Sequence, residues 1–450
     1  MKTCGSNVDR PSLRDLKSPA RRHVPSNELL GYCHVSLSGH YVTLLGMALV
    51  AFLVSVPLVA TGQSVEPNET TPNTVFWDGV YLASIRASIS QDDPRYRDVL
   101  KRLRKNAEIS AKRGPYSVME KEDVAPSGDK HDYLSYARYW WPNPDTKDGL
   151  PYVRRDGRTN EDLLARGDRV PIGKLYDDVE TLALAGYLFS EDRYAEHAAK
   201  LVRTWFLDPA TKMNPHLRYG QAVPGKKEGR GAGIIDTRHF IRVLDSVALL
   251  QETDAWTDED HAALVAWMKE YLSWLQNDPM GKDEASEKNN HGTWYDAQVA
   301  AIAMFVGEQA VARQIVENVK MTRIAACIEP DGQQPEELGR SKGLHYSIFN
   351  MSAMAVLARI GEQLTIDLWS YESDDGRSLR SGLDFVLPYL SGEKEWPHEQ
   401  IDEVDVSPSD MGLFYLAAAR YEEPKYLRAI DRFREHPRKF DYARLQFAAK

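Results

Sequence analysis

The sequence is poor in cysteine and has no excess of positive charge. Of its three cysteines, Cys4 and Cys33 lie in the first sixty residues, so a chain without that segment would keep only Cys327 and could form no internal disulfide. A domain of this size can bury enough core to be stable without one. The formal net charge is −10, and without the first 62 residues, which carry six Lys or Arg and three Asp or Glu, it is about −13. Nucleic acid is therefore excluded as an expected partner, and an anionic ligand would need basic residues gathered in its cleft.

Metal-binding and phosphate-binding motifs are also missing. No His-x-x-x-His pair or cysteine cluster occurs, and Gly229–Gly233 is not followed by the Lys-Ser/Thr of a phosphate loop. We expect neither a metal nor a cofactor.

One long apolar run is present, at residues 41–60, and it contains no charged residue. The small residues Ala60 and Gly62 follow at the positions that a signal peptidase reads, which predicts cleavage before Gln63. We therefore expect a leader at 1–62, a linker at 63–75, a periplasmic or secreted protein, and no stable membrane span after cleavage. The alternative is a protein anchored through an uncleaved apolar segment.

The rest of the chain has the periodicity of helices, without a convincing alternating strand. The predicted helices are 177–206, 234–252, 258–275, 292–306, 308–328, 346–360 and 411–421. Short breaks between them favour stacked helical hairpins, so we predict one all-α domain at 76–450, a closed or nearly closed α/α toroid, that is, an incomplete α/α barrel. Residues 126–171 and 216–233 resist this pattern and are predicted to be functional loops, and the polar stretch 278–288 is predicted to be a loop.

The run from Lys288 to Asp296 crowds two amides, an imidazole and two aromatic rings at a predicted helix start. One interpretation is only structural, with Asn289 or Asn290 capping the helix. The other is functional, because a helix start attracts anions and Asn290 and His291 would add specific hydrogen bonds. The number of polar side chains exceeds what a cap needs, which favours the functional interpretation.

A second group contains Arg340, His345 and Tyr346. Six residues separate Arg340 from Tyr346, about 240° around a helix, so both can serve one site only if Arg340 lies in a loop before the helix of Tyr346. An exposed Arg and a half-buried Tyr without a shared function are the alternative.

These residue types include no obvious nucleophile. Glycoside hydrolysis uses two carboxylates, for which Asp177, Asp178, Glu336 and Glu337 are the candidates. A polyuronate can instead be cleaved by β-elimination, in which the C5 proton and the C4 oxygen leave. The uronate carboxylate must then be neutralised, and a phenol can serve as acid or base.

With these residues the chain resembles the alginate lyases, in particular the α/α-toroid group that includes polysaccharide lyase family 5. The resemblance extends over most of the chain and includes Lys130-His131-Asp132-Tyr133-Leu134-Ser135, Tyr139-Trp140-Trp141-Pro142-Asn143-Pro144, Ile235-Asp236-Thr237-Arg238-His239 and Trp396-Pro397-His398. It implies that Asn290, His291 and Arg340 neutralise the carboxylate and that Tyr346 is the catalytic phenol. The interval from Arg340 to Tyr346 is one residue shorter than in family 5, which points to a related branch.

The expected function is cleavage of alginate, and the resemblance to the family favours its mannuronate-rich blocks. Glucuronan is the other expected substrate, because glucuronate has the same configuration as mannuronate at C4 and C5. Guluronate, inverted at C5, would need another base, for which His291 is the candidate. The alternatives are a hydrolase on a similar toroid and a polysaccharide-binding protein without catalysis. The residues predicted to contact substrate are Lys130, His131, Tyr133, Trp140, Trp141, Arg238, His239, Tyr295 and His345. For the aromatic ones packing in the core is the competing interpretation.

Overall fold

A computed structural model describes residues 71–89, 93–434 and 442–448. All of them belong to one compact unit, Val65–Lys450. The predicted leader, its cleavage point and most of the linker lie outside the described residues. Within these ranges no helix is both long and apolar enough to cross a membrane.

Helices make up most of the described chain. Their bounds are α1 (Gly79–Ile89), α2 (Arg97–Ser110), α3 (Glu161–Ala165), α4 (Arg169–Phe189), α5 (Asp192–Phe206), α6 (Phe240–Leu250), α7 (Asp258–Asn277), α8 (Pro279–Ser286), α9 (Asn290–Phe305), α10 (Gln309–Val319), α11 (Ala325–Cys327), α12 (Pro335–Leu338), α13 (Gly343–Gln363), α14 (Leu379–Ser391), α15 (Met411–Tyr421), α16 (Lys425–Arg434) and α17 (Ala443–Gln446). Most of the predicted helices are thus present, although several are divided.

The divisions have local causes. The helix predicted at 177–206 is two helices, because Ser190 takes a left-handed conformation with φ of 52° that ends α4. The one predicted at 234–252 begins as a 3-10 turn, Gly231–Thr237, before α6. The one predicted at 308–328 changes to a π-helix at Lys320–Ile324.

An inner ring of helices organises the fold. Contacts run from α4 to α6, α9, α13 and α15 in turn, and then through α17 and α1 back to α4. The inner helices are apolar on nearly all sides, so that most of α9 and α13 is buried, whereas α7 and α10 bury only one face. The amphipathic helices form the outer layer, and one hydrophobic core runs between the layers.

The ring is closed by contacts between distant parts of the chain. The Asp78 amide donates to the Gln446 carbonyl at 2.8 Å. The carboxylate of Asp245 accepts hydrogen bonds from the main-chain amides of residues 75–77, the shortest being 2.5 Å from the Val75 amide. Asp245 is fully buried, so these amides satisfy a charge that would otherwise be unfavourable inside the core.

The expected loop at 278–288 was wrong. Residues 278–288 contain α8. Asp278 caps this helix by accepting from the Met280 amide, and Pro279 is its first residue. The helix was not predicted because its polar sequence lacks periodically spaced apolar residues. The chain also has short strands: β1 (Leu134–Tyr136) pairs in parallel with β4 (Tyr219–Ala222), and β2 (Trp140–Trp141) pairs antiparallel with β3 (Val153–Arg154). Strands of two to four residues are too short to show alternation. The pairing of β1 with β4 ties the two irregular segments together.

Candidate active site

A cleft of about 480 Å³ lies where the irregular segments meet the starts of α9 and α13. Its lining includes six arginines and His291 and His345, against four carboxylic residues. An acidic protein therefore presents a basic cleft, which suits an anionic ligand.

The start of α9 supplies an amide and an imidazole. Asn289 is the N-cap, accepting from the His291 amide at 2.8 Å, while Asn290 and His291 also line the cleft. The turn requires Gly292, because a β-carbon there would overlap the Glu287 carbonyl oxygen and the Arg323 guanidinium. Capping and a site role thus fall on adjacent residues.

Buried glutamates hold both side chains from behind. Glu284, on α8, lies 2.6 Å from the His291 Nδ1, which directs Nε2 toward the cleft. Glu337, on α12, accepts from the Asn290 main-chain amide at 2.6 Å and from its Nδ2 at 2.7 Å. Burial would lower the pKa of His291, but the charge of Glu284 and the hydrogen bond to it outweigh burial and raise this pKa. The imidazole is therefore kept cationic to higher pH than usual.

The second cluster surrounds the hydroxyl of Tyr346. It lies 2.8 Å from the Tyr139 hydroxyl and accepts from the Arg340 Nη2 at 3.0 Å, and the guanidinium sits 3.9 Å from the Tyr346 ring centroid. Asp156 fixes the guanidinium, with Arg340 Nη2 donating to Oδ1 at 3.0 Å and Nε to Oδ2 at 3.3 Å. The helix of Tyr346 begins at Gly343, so Arg340 lies in the preceding turn and folds back over the ring.

The ionisation of this cluster follows from burial and from neighbouring charges. Burial and the Tyr139 phenol raise the pKa of Tyr346 well above its usual value, although Arg340 opposes them. Burial would raise the pKa of Asp156, but hydrogen bonds from Arg340 and Ser341 and the charge of Arg340 lower it below its usual range. The free protein thus holds a neutral phenol beside an ionised Arg340–Asp156 pair.

Packing sets the spacing between the two clusters. Trp294, one turn after Asn290 on α9, and Phe349, one turn after Tyr346 on α13, have ring centroids 5.2 Å apart. His345 stacks on Phe349 with an interplanar angle of 8°. These aromatic contacts hold the amide, the imidazole and the phenol on facing sides of one cleft.

Arg238 lines the cleft and has no carboxylate partner among the described residues. In the described part of the chain, Arg238 has no salt bridge; its Nε has no hydrogen-bond partner, and its Nη1 donates only to the Ile235 carbonyl. Burial, Arg169 and Arg138 lower the pKa of Arg238 to about 9. This concentration of positive charge is unfavourable in the free protein and would be relieved by an anion.

The structure brings only some of the predicted residues to the cleft. The cleft is lined by Asn290, His291, Arg340, Tyr346, Trp140, Arg238 and His345. The remaining predicted contacts, Lys130, His131, Tyr133, Trp141, His239 and Tyr295, do not line it.

The reasons differ from residue to residue. Tyr133 is fully buried and donates to Asp236, and Tyr295 is buried and donates to the Leu275 carbonyl, so neither ring can stack on a sugar. His131 Nδ1 lies 2.6 Å from the Lys212 carbonyl, and Trp141 donates to the Arg158 carbonyl. His239 packs edge-on against Tyr176. Residue type and position in a loop therefore do not distinguish side chains that line the cleft from side chains that pack behind it.

The cleft does not bring together the carboxylates that the sequence offered as the pair of a hydrolase. Of the four candidates, only Glu336 lines it. Asp178 is buried under hydrogen bonds from Ser110 and Tyr116, Asp177 is exposed on α4, and Glu337 is occupied by Asn290. No group of three or more His, Cys, Asp or Glu is arranged to hold a metal ion among the described residues.

Sequence reasoning missed several residues of the site. Glu284 was hidden in a stretch taken for a loop, and Asp156 and Tyr139 lie in the long irregular segment. Four arginines of the lining, Arg138, Arg154, Arg169 and Arg230, had no motif to mark them. The only available signal was composition, because residues 126–171 are rich in Arg, Tyr and Trp and residues 216–233 in Gly, Lys and Arg.

Comparison with known proteins gives a consistent result. The family model for alginate lyase matches residues 117–396. An alginate lyase from Bacteroides ovatus is similar over 84% of this chain and 100% of its own, with 37% sequence identity and a TM-score of 0.79. Alginate lyase A1-III from Sphingomonas species A1 is similar over 84% of this chain and 98% of its own, at 18% identity and a TM-score of 0.54. A variant of A1-III complexed with a tetrasaccharide gives 16% identity and a TM-score of 0.54 over 85% of this chain and 98% of its own. A comparison with curated proteins gives no match.

The two A1-III structures bear on the fold alone. Together with the Bacteroides structure they identify the ring of helices as an α/α toroid, which confirms the fold predicted from the sequence.

Proposed function

Since the chain belongs to the alginate lyase family and is a polysaccharide lyase acting on a polyuronate, we propose a substrate and a catalytic residue for it. It cleaves mannuronate-rich alginate or glucuronan by β-elimination, with Tyr346 as the catalytic phenol. The observation that carries this proposal is the convergence in one cleft of a phenol, a guanidinium, an amide and a cationic imidazole. These groups match the demands of the reaction, which needs a neutralised carboxylate and a proton carrier but no nucleophile.

The carboxylate of the uronate would be neutralised by Asn290, His291 and Arg340. As the C5 proton leaves, negative charge moves into this group, and donors already fixed in place stabilise it without reorganisation. The raised pKa of His291 suits a donor of positive charge rather than a base at neutral pH.

Tyr346 would carry the proton. Both neighbours of its oxygen, Tyr139 and Arg340, can donate hydrogen bonds to a phenolate, so the anion formed on taking the C5 proton has two donors. The same oxygen then returns a proton to the departing C4 oxygen. One residue can do both only when the proton and the leaving oxygen lie on the same side of the sugar, as in mannuronate and glucuronate.

The remaining predicted contacts supply binding. Arg238 would meet the carboxylate of a neighbouring sugar, which would relieve its repulsion by Arg169 and Arg138, and Trp140 would lie against a sugar face. Lys130, His131, Tyr133, Trp141, His239 and Tyr295 would act indirectly, by supporting the walls.

Three polymers test the proposal. Purified protein is incubated with polymannuronate, polyguluronate and polyglucuronate while the ultraviolet absorbance of the C4–C5 double bond is followed. We expect a signal from polymannuronate, polyglucuronate or both, and little from polyguluronate. A faster reaction with polyguluronate would contradict the assignment of Tyr346 as both base and acid, and no signal from any polymer would contradict the lyase reaction.

We also propose that the protein is exported. The uncharged run at 41–60 and the small residues before Gln63 support cleavage there. N-terminal sequencing of the protein secreted by expressing cells tests this, with Gln63 as the expected first residue and an uncleaved chain as the contrary result.

A further inference from the structure

Both carboxylate oxygens of Glu337 accept hydrogen bonds from one residue of the site, Asn290. Glu337 is 1% exposed. Its Oε1 accepts from the Asn290 main-chain amide and its Oε2 from the Asn290 side-chain amide. Among the described residues no cationic side chain bonds to it, so it is not half of an ion pair that stabilises the fold.

This arrangement selects one orientation of the Asn290 amide. A carboxylate has only acceptors, so the NH2 end of the amide must face Glu337, and one N–H remains free. The Asn290 Oδ1 is buried and has no hydrogen-bond partner in the described structure. No group of the described structure holds the amide from its oxygen side, so the two hydrogen bonds to Glu337 are what fix its orientation.

Resting on the β-elimination proposed above, we propose that Glu337 is a positioning residue, which holds the Asn290 amide so that its free N–H points at the uronate carboxylate. Glu337 itself does not line the cleft, whereas Asn290 does. It therefore acts through Asn290, and only while it is an acceptor at both oxygens.

The charge state of Glu337 then controls the amide. Burial raises the pKa of Glu337 to about 7, against hydrogen bonds from Asn290 and the charges of Arg340 and His291. The other titratable groups around it are the adjacent Glu336 and, on α11, Cys327. A protonated Glu337 has a donor where the Asn290 NH2 lies, so the amide must turn and present Oδ1 to it. The active form is thus the ionised one, and kcat falls as pH decreases through the pKa of Glu337.

The test replaces the carboxylate by an amide of the same shape. In Glu337→Gln the side-chain oxygen accepts from the Asn290 main-chain amide and the new NH2 meets the Asn290 side chain, which must turn. Loss of one fixed donor to a developing anion typically lowers kcat by about 10² to 10³. We expect a decrease in kcat of that order, a smaller change in KM, and loss of the acid limb assigned to Glu337.

A double variant separates positioning from stability. In Glu337→Gln with Asn290→Asp, the donor and acceptor of the buried pair are exchanged, so the pair is complementary again but no N–H faces the substrate. We expect its Tm to return toward the wild-type value while kcat stays low. If Glu337→Gln does not fold, the wild-type profile remains as the test: kcat should fall as pH decreases through about 7, and a flat profile there would contradict the proposal.

Two results would overturn the proposal. One is a Glu337→Gln enzyme whose kcat stays within about threefold of wild type, because that falls well short of the hundredfold effect of a lost donor. The other is recovery of kcat together with Tm in the double variant, because an enzyme that is active without the Asn290 N–H has no need of a residue that orients it. A parallel Tyr346→Phe variant distinguishes these failures from failure of the proposed function, since full activity in that variant would reject the role of Tyr346 whatever Glu337 does.

Discussion

Replacement of Tyr346 by Phe removes one oxygen from the centre of the cleft. That oxygen bonds to the Tyr139 hydroxyl and the Arg340 guanidinium, whereas the ring stacks on the guanidinium at 3.9 Å and continues into α13. The variant keeps the ring and its packing. Arg340 keeps its place as well, because Asp156 still holds it.

The expected magnitudes follow from these contacts. A positioned acid or base contributes about 10² to 10⁴ in rate, so kcat should fall by at least a hundredfold, or about 3 kcal/mol in activation free energy. Two hydrogen bonds are lost, each with a net contribution of about 0.5 to 1.5 kcal/mol, so the free energy of unfolding should change by at most about 3 kcal/mol. KM should change little, because the cationic side chains remain.

The assay is the initial rate of absorbance increase on polymannuronate and polyglucuronate, with urea unfolding of the same preparation. Tyr139→Phe is the matched control, since it removes the other hydroxyl of the pair but leaves the Tyr346–Arg340 contact, and its kcat should fall less. If Tyr346→Phe keeps kcat within tenfold of wild type, or if Tyr139→Phe is the more damaging change, the assignment of Tyr346 as proton carrier is refuted.

Three further predictions concern charge and closure of the fold. Glu284→Gln removes the charge that raises the pKa of His291, so the alkaline limb of the pH profile of kcat/KM should move to lower pH. An unchanged limb would mean that this limb does not report the ionisation of His291. Arg238→Gln should raise KM for polymer about tenfold with little effect on kcat, and should weaken the salt dependence of KM; an equal loss in kcat would place Arg238 at the reacting sugar. Asp245→Ala leaves the amides of residues 75–77 without their buried acceptor, so urea unfolding should show a loss of roughly 3 kcal/mol or more. A loss below about 1 kcal/mol would mean that water replaces the carboxylate.

Parts of the site could be predicted because local chemistry determines them. Asn289 caps α9 in a sequence rich in amides, and Arg340 had to precede the helix of Tyr346 for the two to meet, which the start of α13 at Gly343 allows. The apolar period likewise located most helices, since burial of a continuous face determines where a long helix forms.

Other parts depend on contacts between distant segments, which a single sequence does not reveal. Asp156 reaches Arg340 across 184 positions, and Tyr139 reaches Tyr346 across 207. Glu284 lies near His291 in sequence, but on a helix too short and polar to be recognised. Tyr133 and Tyr295 have the residue type of a sugar platform and are core instead, because aromatic rings serve both purposes equally well.

The hydrogen bond from the Asp78 amide to the Gln446 carbonyl brings two ends of the ring within 2.8 Å of each other. Because the first and last elements of the ring meet there, a short polar linker could join them and the chain could be opened elsewhere. Every inner helix would keep the same neighbours. A circular permutant opened at the exposed turn around Gly376, where nothing crowds the backbone, should therefore retain the cleft, with Asn290, Arg340 and Tyr346 still in place.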